Sequence, residues 1–196
     1  MPVYCVPGNH DDEAAMRAAL RARPFQICGT AGHGDWLLVM LNSAVRGSAG
    51  GRIAPDELAR LDASLAAQRD RHALVCLHHH PLPSGSRWLD SVALANADEL
   101  FAVLDRHAHV RGLLWGHVHQ AWEGERRGVR LLSTPSTCAQ FKPNSDGFAL
   151  DARPPAYRWL ELGADGRIAT GVQWVADAAL AARPGEPPAG AQASAG

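Results

Sequence analysis

The stretch ALVCLHHHP, at residues 73–81, joins a continuous apolar run to three histidines. A short apolar run of this kind is typical of a strand that is covered on both faces. The stretches VYCVPGNHD, at residues 3–11, and VRGLLWGHVH, at residues 110–119, have the same order of apolar run and polar end. Because sites in α/β proteins collect beyond the strand ends, the sequence predicts that these three polar segments converge.

The remaining elements extend this pattern in both directions along the chain. WLLVML, at residues 36–41, predicts another buried strand. Helices are predicted from acidic or proline starts followed by amphipathic runs, and hairpins from short strands around glycine turns. The predicted helices cover 11–21 and 55–69 and begin again at Asn96, and the predicted hairpin strands lie around Trp122 with 129–133, and at 157–162 with 167–175. The chain is therefore expected to form an α/β (α+β) sandwich of mixed β-sheets flanked by helices.

Length and composition are those of a single globular domain, which we place at residues 1–176. Its 19 basic and 20 acidic side chains leave a formal net charge of -1, so no basic footprint for nucleic acid is present. The last residues are rich in proline, glycine, alanine and serine. We predict a disordered tail at 177–196.

Cysteine use and hydropathy place the protein in the cytoplasm. The four cysteines form no CxxC pair, and two of them lie inside strand-like apolar runs, so we expect all four to be reduced. No apolar run approaches the length that spans a bilayer, and the N-terminus lacks the features of a signal peptide. We therefore expect neither a membrane nor a nucleic acid as partner.

The polar segments contain residue types that bind metal ions. Two histidines at i and i+2, as at His117 and His119, share a face in an extended chain, and imidazole is a ligand for zinc, iron and manganese. Asn9 adds an amide oxygen. Taken singly, solvated histidines or a helix cap explain each segment equally well. Their shared position after predicted strands favours a metal site.

These segments resemble the motifs GNH[DE], HxP and GHxH of the calcineurin-like metallophosphoesterases, in the order of that family. Within the family, the chain is most similar to the bacterial class III 3',5'-cyclic-AMP phosphodiesterases. The stretches that support this branch are RWLD at 87–90, NADEL at 96–100 and STPSTCAQFKP at 133–143. The resemblance implies a metallophosphoesterase sandwich fold.

The resemblance also implies a two-metal site of iron, manganese or zinc ions. Asn9, His79 and His117 would hold one ion, and His119 would be a ligand of the other. His10 would lie beside the scissile phosphate as the candidate catalytic residue. The implied reaction is metal-assisted hydrolysis of 3',5'-cyclic AMP to 5'-AMP.

One part of the family pattern is missing. The family begins with DxH and GD segments, which supply carboxylate ligands, whereas only seven residues precede Gly8 here. We therefore expect an N-terminally truncated sandwich, at most one weakly bound ion and little or no hydrolysis by this polypeptide. We also expect an unpaired edge and uncovered apolar surface at residues 3–6, through which the chain could self-associate.

Two alternatives remain open at this point. The chain could belong to another metallophosphoesterase branch, which acts on glycerophosphodiesters, nucleotides or pyrophosphates. It could also be a non-catalytic remnant that acts as a binding module. Comparing the hydrolysis of these substrates would separate the two enzymatic readings.

Overall fold

The computed structural model describes residues 1–22 and 24–175, so the predicted tail at 177–196 lies outside the described residues. Strands and helices alternate through the first part of the chain, and hairpins follow. In chain order they are β1 Val3–Cys5, α1 Glu13–Ala19, β2 Phe25–Ile27, β3 Gly29–His33, β4 Trp36–Met40, α2 Pro55–Ala67, β5 His72–Leu77, α3 Arg87–Asp90, α4 Ala97–Leu104, β6 Val110–Trp115, β7 Trp122–Arg126, β8 Val129–Ser133, β9 Gln140–Phe141, β10 Leu150–Asp151, β11 Ala156–Leu162 and β12 Ile168–Trp174. None of the helices in 1–22 and 24–175 has the length and apolar character needed to cross a membrane.

A six-stranded mixed sheet positions the site. Its strand order is β3-β4-β5-β6-β8-β7, and the four central strands β4, β5, β6 and β8 run parallel to one another. Leu77 pairs with Trp115, and Trp115 pairs with Ser133, so these strands end level with one another. The residues that follow them therefore emerge side by side along one edge of the sheet.

The core lies mainly on one face of this sheet. Helices α2 and α4 pack there through fully buried leucines such as Leu61, Leu65 and Leu100, against strand residues that include Val75 and Leu113. The β11–β12 hairpin packs on the opposite face through Ile168, which joins a smaller cluster of Trp36, Leu74 and Leu132. The predicted arrangement of mixed sheets flanked by helices is confirmed.

Sequence periodicity located the buried strands and both hairpins but missed several short elements. The missed elements are β2, β3, α3, β9 and β10. Strand β3 has the sequence GTAGH, which lacks the branched and aromatic side chains that strands favour, apart from one threonine. It is a strand because β4 pairs with it over its whole length, from Gly29 opposite Met40 to His33 opposite Trp36.

Among the described residues, the strand at residues 3–6 is paired on one side and keeps the expected unpaired edge on the other. Strand β1 pairs in parallel with β2, with Val3 opposite Phe25, in a two-stranded sheet. Apolar surface is nevertheless open between β1 and the central sheet. A cavity of about 290 Å³ lies there, lined mostly by apolar side chains, among them Leu38, Met40, Cys76 and Leu114.

Candidate metal centre

Three histidines meet at the carboxyl edge of the central sheet. His78 and His79 follow β5, and His117 follows β6. Each offers a ring nitrogen within 4.8 Å of the others, and they are the residues that qualify as a potential metal-binding group among the described His, Cys, Asp and Glu. The centroids of the His79 and His117 rings are 4.7 Å apart.

The backbone after β6 is bent sharply to bring these rings inward. The Gly116 N–H donates to the His78 carbonyl at 3.2 Å, which extends the β5–β6 pairing by one step. His117 and His119 then adopt φ angles of 66° and 48°, in the left-handed region that L-residues rarely occupy. Such conformations cost free energy and cluster at functional sites.

Asn9 reaches the group through His78, a residue that sequence reasoning left without a role. The Asn9 Oδ1 atom lies 2.9 Å from His78 Nε2, which in turn lies 3.1 Å from His117 Nδ1. Because an amide oxygen only accepts, His78 Nε2 donates to Asn9. The run of three histidines contained the signal for His78, but the HxP motif drew attention to His79 alone.

The turn that carries Asn9 and His10 is fixed by two aspartates. Asp11 Oδ2 accepts the Gly8 N–H at 2.8 Å, and Asp12 caps helix α1 by accepting the Ala15 N–H at 2.9 Å. His10 is exposed on this turn. It faces an open cavity of about 680 Å³ whose lining includes Asn9, Arg17, Asn42 and Arg46.

His119 lies outside the three-histidine group. Its Nδ1–H donates to the Ala139 carbonyl at 2.8 Å, and its ring stacks on Phe141 with the centroids 4.1 Å apart. Of the four predicted metal ligands, His79 and His117 therefore lie together, Asn9 contacts them through His78, and His119 is separate.

Burial keeps the grouped imidazoles neutral at physiological pH. It lowers the pKa of His78 and of His79 to about 4 and that of His117 to about 3, and the neighbouring histidines add to the effect on His78 and His117. Burial also lowers the pKa of His119, against the opposing effect of the Ala139 carbonyl. Neutral imidazole is the form that binds metal ions.

The donor set suits one transition-metal ion. The Nε2 atoms of His79 and His117 are buried, and neither has a hydrogen-bond partner among the described residues. Nitrogen ligands of this kind suit zinc or iron. The three-histidine group contains no carboxylate. The charge of a divalent ion would therefore be uncompensated, which weakens its binding.

The sequence of the chain is similar to those of several cyclic-nucleotide phosphodiesterases. The chain is 44% identical over 177 residues to the 3',5'-cyclic adenosine monophosphate phosphodiesterase CpdA of Escherichia coli K12 and 40% identical over 178 residues to that of Pseudomonas aeruginosa. Each match covers 90% of this chain but only 64% of the relative. A 3',5'-cyclic-nucleotide phosphodiesterase of Nostoc sp. PCC 7120 is 38% identical over 178 residues, which is 88% of this chain and 65% of the relative.

The fold also matches a solved structure. The crystal structure of the protein TT1561 of Thermus thermophilus superposes with a TM-score of 0.50 at 14% identity, covering 87% of this chain and 72% of that one. Residues 1–121, which include β1 to β6 and all three ligand-bearing segments, match the family model described as calcineurin-like phosphoesterase. The chain belongs to the calcineurin-like phosphoesterase family.

Proposed function

We propose that this chain carries the histidine part of a metal-dependent phosphodiesterase site that hydrolyses 3',5'-cyclic AMP to 5'-AMP. The observation that carries the proposal is the group of three neutral imidazoles at the ends of neighbouring parallel strands, of which those of His79 and His117 are buried. The cyclic AMP phosphodiesterases that are about 40% identical to the chain support this substrate. The chain spans 64% of their length.

The metal ion belongs on His79 and His117, with His78 or Asn9 beside it. The free Nε2 atoms of the two buried histidines support this assignment. His119 would be a ligand of a second ion, since it lies outside the three-histidine group. Iron, manganese and zinc all suit such ligands. A divalent ion would lower the pKa of a bound water molecule and would neutralise charge on the phosphoryl oxygens.

The substrate belongs in the open cavity beside His10. Arg46 in its lining suits an anionic phosphodiester, because guanidinium groups bind phosphate oxygens, whereas Arg17 there pairs with Glu13. In hydrolysis, a water oxygen joins phosphorus and the bond from phosphorus to the 3' oxygen breaks. The exposed His10 imidazole would donate the proton that the departing 3' oxygen requires.

The described residues supply too few ligands for two ions. No carboxylate joins the three-histidine group, and His119 stands apart from it. We therefore propose that this polypeptide alone holds at most one ion, weakly, and hydrolyses cyclic AMP little or not at all. The family pattern implies carboxylate ligands from DxH and GD segments in addition to these histidines.

A pair of proteins tests the proposal. The first is the 196-residue chain, and the second joins to its residue 1 a segment that carries the DxH and GD motifs of the family pattern. With manganese added, we expect the joined protein to form 5'-AMP from cyclic AMP and the chain alone to form little. His10→Ala in the joined protein should reduce turnover by about 10²–10⁴-fold, the usual contribution of a positioned proton donor.

Other results would point to the alternatives. Faster hydrolysis of glycerophosphodiesters, nucleotides or pyrophosphate by the joined protein would place it in another branch of the family. A joined protein that bound cyclic AMP but hydrolysed none of these substrates would indicate a binding module. Rapid turnover by the 196-residue chain alone would overturn the claim that its site is incomplete.

The proposed setting is the cytoplasm, with a cyclic nucleotide as the partner. All four cysteines are free thiols in the structure, as a reducing compartment requires. The net charge of -1 supports the expectation that nucleic acid is not a partner. We also propose that the chain self-associates through the apolar cavity beside β1. The molecular mass of the protein in solution would test this.

A further inference from the structure

The glycine-rich loop at residues 43–51 contributes Arg46 to the lining of the proposed substrate cavity, and it also packs against His79. We infer that this loop is a socket that holds the His79 proton on Nδ1 and leaves Nε2 free, with Ser43 and Gly51 as positioning residues. The inference rests on the proposed metal-binding role of His79. It concerns residues that follow β4, the neighbour of β5 in the sheet.

Ser43 contacts His79 at two atoms. Its Oγ accepts the His79 backbone N–H at 3.2 Å and lies 2.8 Å from His79 Nδ1. Both side chains are fully buried. Because water does not reach this pair, the Ser43 hydroxyl is the hydrogen-bond partner of Nδ1. The hydrogen bond from the His79 backbone N–H holds that hydroxyl in place.

The two ring nitrogens of His79 differ in their surroundings. Nδ1 lies beside the Ser43 hydroxyl oxygen, which can accept a hydrogen bond, whereas Nε2 has no hydrogen-bond partner among the described residues. A proton on Nδ1 is shared with oxygen, whereas a proton on Nε2 would be buried without an acceptor, which costs free energy.

Gly51 closes the socket from the same side of the ring. A Cβ atom at this position would collide with Cγ and Nδ1 of His79, so only glycine allows the backbone to approach so closely. The loop therefore faces the Nδ1 edge of the imidazole. Nε2, on the other side of the ring, is buried and has no hydrogen-bond partner among the described residues.

The socket is anchored at both of its ends. The Arg52 N–H donates to the Ser43 carbonyl at 3.0 Å, which closes the loop at its neck. The Gly51 N–H donates to the Ala93 carbonyl at 3.2 Å, and the Gly51 carbonyl accepts the Ala95 N–H at 2.8 Å. Partners that hold the second nitrogen of a ligating histidine fix its tautomer and its orientation toward a metal.

The tautomer can be measured without metal or substrate. Long-range ¹H–¹⁵N correlation spectra of the labelled, metal-free 196-residue chain separate protonated from bare ring nitrogens, and the His79→Gln variant identifies the His79 signals. We expect a protonated Nδ1 and a bare Nε2 in the native sequence. A protonated Nε2 in the native sequence would overturn the inference.

Two variants test the consequence for metal binding, with Zn²⁺ as the ligand in calorimetric titrations. Ser43→Ala removes the hydroxyl, and Gly51→Ala introduces the collision with the ring. Each should weaken Zn²⁺ binding by about 10–100-fold, the usual effect of losing a partner that orients a ligand. The His79 signals should also change from the single tautomer to a mixture.

Gly50→Ala is the matched control in the same loop. A Cβ atom there meets its nearest neighbour, Val92 Cα, at 3.5 Å, which is an ordinary contact. Gly50→Ala should bind Zn²⁺ and melt like the native sequence. Native Zn²⁺ affinity in both Ser43→Ala and Gly51→Ala would overturn the inference. The tautomer result is independent of hydrolysis, so failure of the proposed function would not be mistaken for failure of the socket.

Discussion

His78 and His79 are adjacent in the chain, and both of their rings belong to the three-histidine group. In an extended strand alternate side chains point to opposite faces, so His78 and His79 should not share a site. The chain bends directly after β5, and both rings enter the group with His117. The family motif led to His79, but no pattern in the sequence shows this bend. The histidine run makes His78 a candidate, but its place beside His79 in the group follows only from the folded backbone.

Gly8→Ala is expected to disturb the site through His78. A Cβ atom at position 8 would lie 2.8 Å from Cε1 of the His78 ring, too close for the ring to remain beside Asn9. Zn²⁺ affinity should fall by about tenfold, since the partners that orient the ligands are displaced. Calorimetric titration of the purified variant measures this change.

Gly147→Ala provides the control for that substitution, because nothing lies within 4 Å of a Cβ atom built there. It should leave Zn²⁺ affinity unchanged. Equal affinity of Gly8→Ala and the native sequence would show that the contact between Gly8 and His78 does not hold the site together.

At the scale of elements, burial and periodicity identified the strands that carry the site. The apolar runs that became β4, β5 and β6 are visible in the sequence because both faces of these strands are covered. Strands β2 and β3 have no comparable run, and pairing with β1 and β4 makes them strands. The edge at which the site would form was therefore predictable from the sequence. The separation of His119 from the other ligands depends on the conformation after β6 and was not.

The packing of α2 on the central sheet is expected to dominate stability. Leu61 is fully buried in this contact, so Leu61→Ala should lower the free energy of unfolding by about 2–5 kcal/mol. Leu150 is half-exposed on β10, and Leu150→Ala should change the free energy by no more than about 0.5 kcal/mol. Urea denaturation of the two variants checks both values. Similar losses for Leu61→Ala and Leu150→Ala would contradict the assignment of the core.

At the scale of the whole molecule, the described residues form an α/β core that brings the histidine ligands together without carboxylates. The strands place Asn9, His10, His79 and His117 in one region, as the family resemblance implies. Carboxylates are missing from the three-histidine group, and apolar surface is open beside β1. The chain spans 64% of the length of its Escherichia coli and Pseudomonas aeruginosa relatives. We therefore expect this polypeptide to hold at most one ion, an expectation that the missing DxH and GD motifs already gave from the sequence.

The number of Zn²⁺ ions bound by the purified 196-residue chain tests the central claim most directly. Titration calorimetry combined with elemental analysis should find no more than one ion per chain. His117→Gln should abolish this binding because it removes a ligand, whereas His119→Gln should retain it because His119 lies outside the group. Two tightly held ions per chain, or one ion that survives the loss of both His79 and His117, would contradict the account.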